Sequence, residues 1–183
     1  SRRNEVPRLL PPFLQACKLI RKERPHARFA IGCARWLRDE RARVFLKAHP
    51  ELEVRLVHGQ SHELMAASDV LLACSGTATL EAALIGTPLV MSYILAPASA
   101  QIAKLLLGRK RMFCLPNIIM QRRVARELLQ EGATPEAMAT SVLELLGDKG
   151  PQMREEWAKL GPLLGGKGAS KRAAQEILIV AGL

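Results

Sequence analysis

The chain has 183 residues, 49% of them apolar and only 4% aromatic, with a formal net charge of +10. That length and apolar content exclude a disordered chain and fit one domain with a short appendage. The scarcity of aromatics beside abundant Ala and Leu disfavours an all-β sandwich, and the charge asks for an anionic partner: nucleic acid, a phosphorylated small molecule or an anionic membrane surface.

In chain order, residues 5–24 read as a helix, because Leu9, Leu10, Phe13, Leu14, Cys17 and Ile20 recur at helical spacing. Pro11 and Pro12 should kink it or delay its start. Residues 28–33 read as a buried strand, 35–48 as a charged surface helix and 53–57 as an alternating strand. A short helix over 61–67, capped by Ser61, leads to a strictly apolar strand over 70–74. A helix over 77–85 and a strand over 89–93 follow, then a helix over 97–107 and a short strand over 111–115. From Arg122 onward everything reads as helical, broken at Thr134-Pro135, Gly150-Pro151 and Gly165-Gly166. The last helix covers 169–181. Trp36 and Trp157 read as packing anchors.

Apolar strands alternating with longer helices are the signature of βαβ units. The expected fold class is α/β: a Rossmann-like parallel sheet flanked by helices, with a helical C-terminal tail. The domain should cover 1–164, with a linker and helix over 165–183. A doubly wound domain opens on a strand, whereas this chain goes from Ser-Arg-Arg-Asn-Glu straight into a helix. The expectation is that the first strand is missing and that the chain is a piece of a longer protein.

Cys17, Cys33, Cys74 and Cys114 lie in apolar runs with no two-residue spacing. They read as small buried thiols of a reducing, cytoplasmic compartment. The apolar stretch over 70–96 is interrupted by Ser75, Gly76, Glu81, Gly86 and Pro88, which makes it a poor membrane span.

The segment 68–83 carries the most chemistry. A strand ends at Ser75, Gly76 turns the chain and a helix begins. Backbone N–H groups at a helix N-terminus lack internal partners, and the helix dipole is positive there, which suits a diphosphate. Gly76 admits a ligand close to the backbone, and Ser75 and Thr77 add hydroxyls. Glu81 lies four residues after Thr77 on the same helix face, where a carboxylate can accept both hydroxyls of a ribose. The turn also sits at the C-terminal ends of strands, where open α/β sheets bind ligands. On spacing alone, Ser75 and Thr77 serve equally well as ordinary helix caps, with Glu81 a solvated acid.

The run Ala73-Cys74-Ser75-Gly76-Thr77-Ala78-Thr79-Leu80-Glu81-Ala82 resembles the signature of the lipid-A-disaccharide synthases, which are GT-B glycosyltransferases. Ser1-Arg2-Arg3-Asn4-Glu5-Val6 resembles the end of that family's Leu-Pro-Gly-Ser-Arg-x-x-Glu motif. Leu115-Pro116-Asn117-Ile118-Ile119, followed by Glu127-Leu128-Leu129-Gln130, resembles its Leu-Pro-Asn…Glu-Leu-Leu-Gln stretch. The three occur in family order over essentially the whole chain, as the C-terminal half of the enzyme. The resemblance implies a UDP-2,3-diacylglucosamine donor, a 2,3-diacylglucosamine 1-phosphate acceptor, a β-1,6 disaccharide product and released UDP, by an inverting reaction without metal or cofactor. It assigns the diphosphate to Ser75, Gly76, Thr77 and Ala78, and the ribose to Glu81. Arg2 would neutralise phosphate charge, and Asn117, Gln121 and Arg122 would face the interdomain cleft. The acceptor-activating base belongs to the N-terminal half, so no residue of this chain is expected to be catalytic. A homodimer through the C-terminal regions is also implied. The chain departs from the family at Gln121, where Gly is common, and near Arg123, where an acid or Pro is common.

Between Glu81 and Glu127 there is no acidic residue, while Lys104, Arg109, Lys110, Arg111, Arg122, Arg123 and Arg126 lie among apolar side chains. Such a patch, Lys104 and 109–111 above all, suits the anionic inner-membrane surface, at about 1 kcal/mol per basic residue. Solvated helix ends explain it as well. His58 and His62 lie four apart, but with Gly59-Gln60 between them and no third ligand they are discounted as a metal site. Two rival functions remain. One is another GT-B UDP-sugar enzyme, a peptidoglycan-type transferase or UDP-N-acetylglucosamine epimerase. The other is a basic nucleic-acid module, disfavoured by the lack of a recognised motif and of aromatics to stack bases, so nucleic acid is not expected as a partner.

Overall fold

The computed structural model describes residues 6–34, 40–95, 112–166 and 168–182. Among the described residues five strands, β1 (Ala30–Cys33), β2 (Arg55–His58), β3 (Leu71–Ala73), β4 (Leu89–Tyr93) and β5 (Arg126–Leu129), form two sheets, β1-β2 and β3-β4-β5. Every pairing is parallel, with Ala30 opposite Arg55, Leu71 opposite Leu89 and Val90 opposite Arg126. Parallel pairing demands crossovers, and helices supply them. The α/β expectation therefore holds.

The first helix, α1 (Val6–Glu23), carries Pro11 and Pro12 inside it and does not start late. The carbonyls that lose their donors belong to Pro7 and Arg8, which are exposed and so open to solvent. Its buried side, Leu9, Leu10, Leu14, Ala16 and Ile20, is the stripe read from the sequence. α1 packs against α2 (Glu40–Lys47) and, more extensively, the helix over Pro135–Leu146. α3 (Ser61–Ala67) lies against β1, β2 and α4 (Thr77–Ile85). Gln60, not Ser61, is the N-cap of α3, and no side chain caps it.

β4 is the central strand, buried through Ser92, as expected where helices cover both faces of a parallel sheet. It packs with Ala82 and Ala83 of α4, with Met138, Ala139 and Val142, and with Trp157, which is the anchor its sequence suggested. Trp36 lies outside the described residues, as does the helix expected over 97–107. β3, just as apolar, is only half-buried. Its edge away from β4 and an edge of β1 face one cleft of about 2040 Å³. In the doubly wound order the first strand lies between these two positions. The cleft runs up to the Ser75–Ala78 turn.

The sequence reading fails in three places beyond β4. Residues 111–115 were expected as a strand, yet the chain is irregular at Met112 and Phe113 and then forms α5 (Leu115–Ile119). Pro116 suits the first turn of a helix, where its missing N–H has no partner to lose. Residues from 122 onward were expected to be wholly helical, but 126–129 form β5. Leu128 packs into the core there, and the backbone pairs with β4. Gly150-Pro151 does not break a helix; it lies in the first turn of α7 (Lys149–Ala158), after α6 (Pro135–Leu146). A short α8 (Leu160–Leu163) and the tail helix α9 (Ala169–Ala181) complete the chain, and α9 buries none of its residues.

Candidate functional site

β3 delivers the chain to Cys74-Ser75-Gly76, and α4 leaves it. Gly76 is the N-cap of α4, with φ 148° and ψ −171°, a region essentially closed to residues with a Cβ. A Cβ placed there would meet nothing within 4 Å, so glycine is required by the backbone angle and not by crowding. No side chain caps the helix. The capping role considered for Ser75 and Thr77 is therefore not what these residues do. Gly76, Thr77 and Ala78 are exposed. The first helical N–H groups, of Thr77 and Ala78, thus point out of an uncapped, solvent-facing terminus.

Thr79 holds this turn from beneath. It is fully buried, its hydroxyl donates to Gly76 O at 2.7 Å and its N–H donates to the same oxygen at 3.2 Å. Nothing local signals that role beyond a Thr three residues after a glycine. Ser75 is half-buried, and its hydroxyl donates to Phe113 O at 3.3 Å. Its proton is committed to the neighbouring segment, leaving its lone pairs to the solvent side.

Glu81 lies one turn further along α4, and its Oε2 meets Nε2 of His62, from α3, at 3.0 Å. The discounted histidine is thus part of the site's rim, although not as a metal ligand. Among the described residues no group of three His, Cys, Asp or Glu side chains could hold a metal ion.

The Leu-Pro-Asn segment joins the turn by a different route from the one expected. Asn117 is fully buried. Its Nδ2 donates to Ala125 O at 2.8 Å and to Glu127 Oε1 at 2.9 Å, while its Oδ1 accepts from Val124 N at 3.0 Å and Ala125 N at 2.9 Å. An amide side chain has two donors and two acceptor positions, and all four are engaged. Asn117 therefore has nothing left for a ligand; it staples its loop to β5. Glu127 completes the staple: its carboxylate also accepts from Phe113 N at 3.0 Å and Cys114 N at 3.1 Å, ahead of α5. The chain of bonds runs Asn117–Glu127–Phe113–Ser75, so this segment supports the turn from one side. Cys114 sits beneath it, its thiol pushed up to about 11 chiefly by burial, opposed by a hydrogen bond with Thr79.

Gln121 and Arg122 close the C-terminal end of α5. Gln121 has φ 54°, its N–H donates to Ile118 O, and the N–H of Arg122 donates to Asn117 O. That is a Schellman end to α5, with Gln121 in the left-handed position that glycine prefers. The departure from the family pattern thus falls where the backbone favours glycine. Gln121→Gly is expected to raise stability by up to about 1 kcal/mol, read as a higher midpoint in urea at unchanged slope. The Arg122 guanidinium pairs with Glu156 of α7. Arg126 reaches Glu144 at 4.0 Å, so Arg122 and Arg126, among the described cations of the basic stretch, are partnered within the fold. Arg2, Lys104, Arg109, Lys110 and Arg111 lie outside the described residues.

A family model described as lipid-A-disaccharide synthetase matches residues 1–177. A lipid-A-disaccharide synthase of Anaeromyxobacter sp. (strain K) is 41% identical over 184 residues, which cover 97% of this chain and 47% of the relative. The enzyme of that name from Trichlorobacter lovleyi is 40% identical, covering 97% and 46%. The one from Pseudomonas putida (strain KT2440) is 39% identical with the same coverage. The chain spans about half the length of the curated relatives it matches.

Proposed function

Because the chain belongs to the lipid-A-disaccharide synthase family, we propose that it is the donor-nucleotide half of an inverting glycosyltransferase. Its donor is UDP-2,3-diacylglucosamine, its acceptor 2,3-diacylglucosamine 1-phosphate, and UDP is released. The observation that carries this reading is the uncapped, exposed N-terminus of α4 at Gly76, with a carboxylate one turn away. The N–H groups of Thr77 and Ala78 take the diphosphate oxygens, and the helix dipole adds to them. As the glycosidic bond to the donor breaks, negative charge accumulates on UDP. Donors fixed before the reaction stabilise that charge without reorganising. Arg2 supplies a full positive charge to the same oxygens, and Glu81 takes the ribose hydroxyls. Ser75 contributes through its lone pairs and its hold on Phe113, and Asn117 through the loop it staples. Gln121 and Arg122 shape the rim of that loop.

Activation of the acceptor hydroxyl falls to a base in the other half of the enzyme. The nucleotide domain covers 1–164, with the linker and helix over 165–183 reaching beyond it. Two copies pair through this half as a homodimer. The enzyme works in the cytoplasm at the inner-membrane surface. Among the described residues no helix is long and apolar enough to cross a membrane, and docking falls to Lys104, Arg109, Lys110 and Arg111 beside apolar neighbours. Sedimentation with liposomes is expected to carry more protein down with anionic than with neutral lipid; equal pelleting contradicts docking.

Calorimetry separates the nucleotide reading from its rivals. UDP is expected to bind the chain, and Glu81→Ala to weaken it at least tenfold, roughly one hydrogen bond to a charged group. Binding to an oligonucleotide with a steep salt dependence, and none to UDP, would support a nucleic-acid module instead.

A further inference from the structure

The nucleotide site described above leaves His62 unexplained. It is the second residue of a short surface helix, 69% exposed at its side chain, and yet its Nε2 lies 3.0 Å from Glu81 Oε2. Exposed pairs of this kind add little to folding, so stability is a poor reason for its position. Its placement is nonetheless firm. α3 is tied to the start of β4 by the Thr87 hydroxyl, which donates to Met65 O at 2.8 Å, and Thr87 is buried. α4 is tied to α7 at its far end by Arg154, which donates to Gly86 O at 3.1 Å and to Asp69 O, between α3 and β3, at 3.3 Å. Both helices are therefore held in fixed relation, and His62 reaches Glu81 from a rigid neighbour.

A glutamate on an exposed helix face samples several rotamers, and each hydrogen bond it offers a ligand costs the entropy of choosing one. A ring that donates Nε2–H to one carboxylate oxygen makes that choice beforehand. It also divides the two oxygens: Oε2 carries His62, while Oε1 has no hydrogen-bond partner among the described residues. We propose that His62 is a positioning residue for nucleotide binding: it pre-orients Glu81 so that Oε1 is presented to the vicinal hydroxyls of the donor ribose. This rests on the assignment of Glu81 to the ribose, but adds a residue and a selectivity to it. His62 acts only through Glu81, so it matters for ligands with ribose hydroxyls and not for those without.

Calorimetric titration of the full chain with UDP and with 2′,3′-dideoxy-UDP tests this, using His62→Ala, His62→Gln, Glu81→Ala and the double variant. His62→Ala is expected to weaken UDP roughly three- to tenfold, the worth of one hydrogen bond, and to leave dideoxy-UDP unchanged. His62→Gln, which keeps an N–H donor, should recover most of that loss. The double variant should be no weaker than Glu81→Ala alone, the non-additivity expected when one residue acts through another. Both side chains are exposed, so melting temperatures should stay within a degree or two of the parent. If Glu81→Ala weakens UDP and His62→Ala does not, the role of His62 is overturned while the ribose assignment stands. An equal loss of both nucleotides in His62→Ala also overturns it. If Glu81→Ala binds UDP like the parent, the ribose assignment itself fails, and the role of His62 with it.

Discussion

Asn117→Ala is expected to destabilise the domain by on the order of 3 kcal/mol while costing little nucleotide affinity in the protein that remains folded. Truncation removes four hydrogen bonds at once and strips partners from the backbone of Val124 and Ala125, the latter buried. Buried backbone groups without partners carry a desolvation cost that the unfolded chain does not have. Glu127 loses one of its three donors as well, but keeps Phe113 and Cys114. A side chain that contacts the nucleotide gives the reverse result, with unchanged melting and lost binding. Urea denaturation paired with UDP calorimetry on the folded fraction distinguishes the two, and the buried, fully bonded geometry requires the first.

Gly76→Ala is expected to act on stability and binding together. At φ 148° and ψ −171° a Cβ costs about 1–3 kcal/mol of backbone strain even though open space surrounds it. Relieving the strain rotates the peptide that leads into α4 and turns the Thr77 and Ala78 N–H groups away from their common direction. Loss of even one hydrogen bond to a charged phosphate weakens binding by about tenfold or more. Thermal melting should therefore fall and UDP affinity drop by at least that factor. A variant that melts lower but binds UDP as tightly as the parent would show that the turn is structural only.

The parts of the fold that announce themselves in the sequence are those governed by local pattern. α4 and α9 begin and end where Gly76, Gly86, Gly168 and Gly182 place them, and β4 coincides with its apolar run. β5 was invisible because Arg-Glu-Leu-Leu has good helix formers at every position; only pairing with β4 makes it a strand. The strand expected over 111–115 does not form at Met112 and Phe113, and α5 begins at Leu115 instead; five residues are too few to display a period. Within the site, the turn at 75–78 was legible from Ser-Gly-Thr after an apolar strand. Asn117 was legible as a motif position but not in its role, since nothing local reveals that its amide bonds to Val124, Ala125 and Glu127. His62 reads in the sequence only as half of a discounted metal pair with His58, because its partner lies nineteen residues away on another helix.

The N-terminus of α4, with Glu81, is proposed to hold a nucleoside diphosphate. Amide chemical-shift mapping of the 183-residue chain during a UDP titration tests it most directly. The largest and saturable shifts are expected at Gly76, Thr77 and Ala78, with a second set on Glu81 and its neighbours in α4. Saturable shifts confined to the basic segment, with 76–78 unmoved, would contradict it.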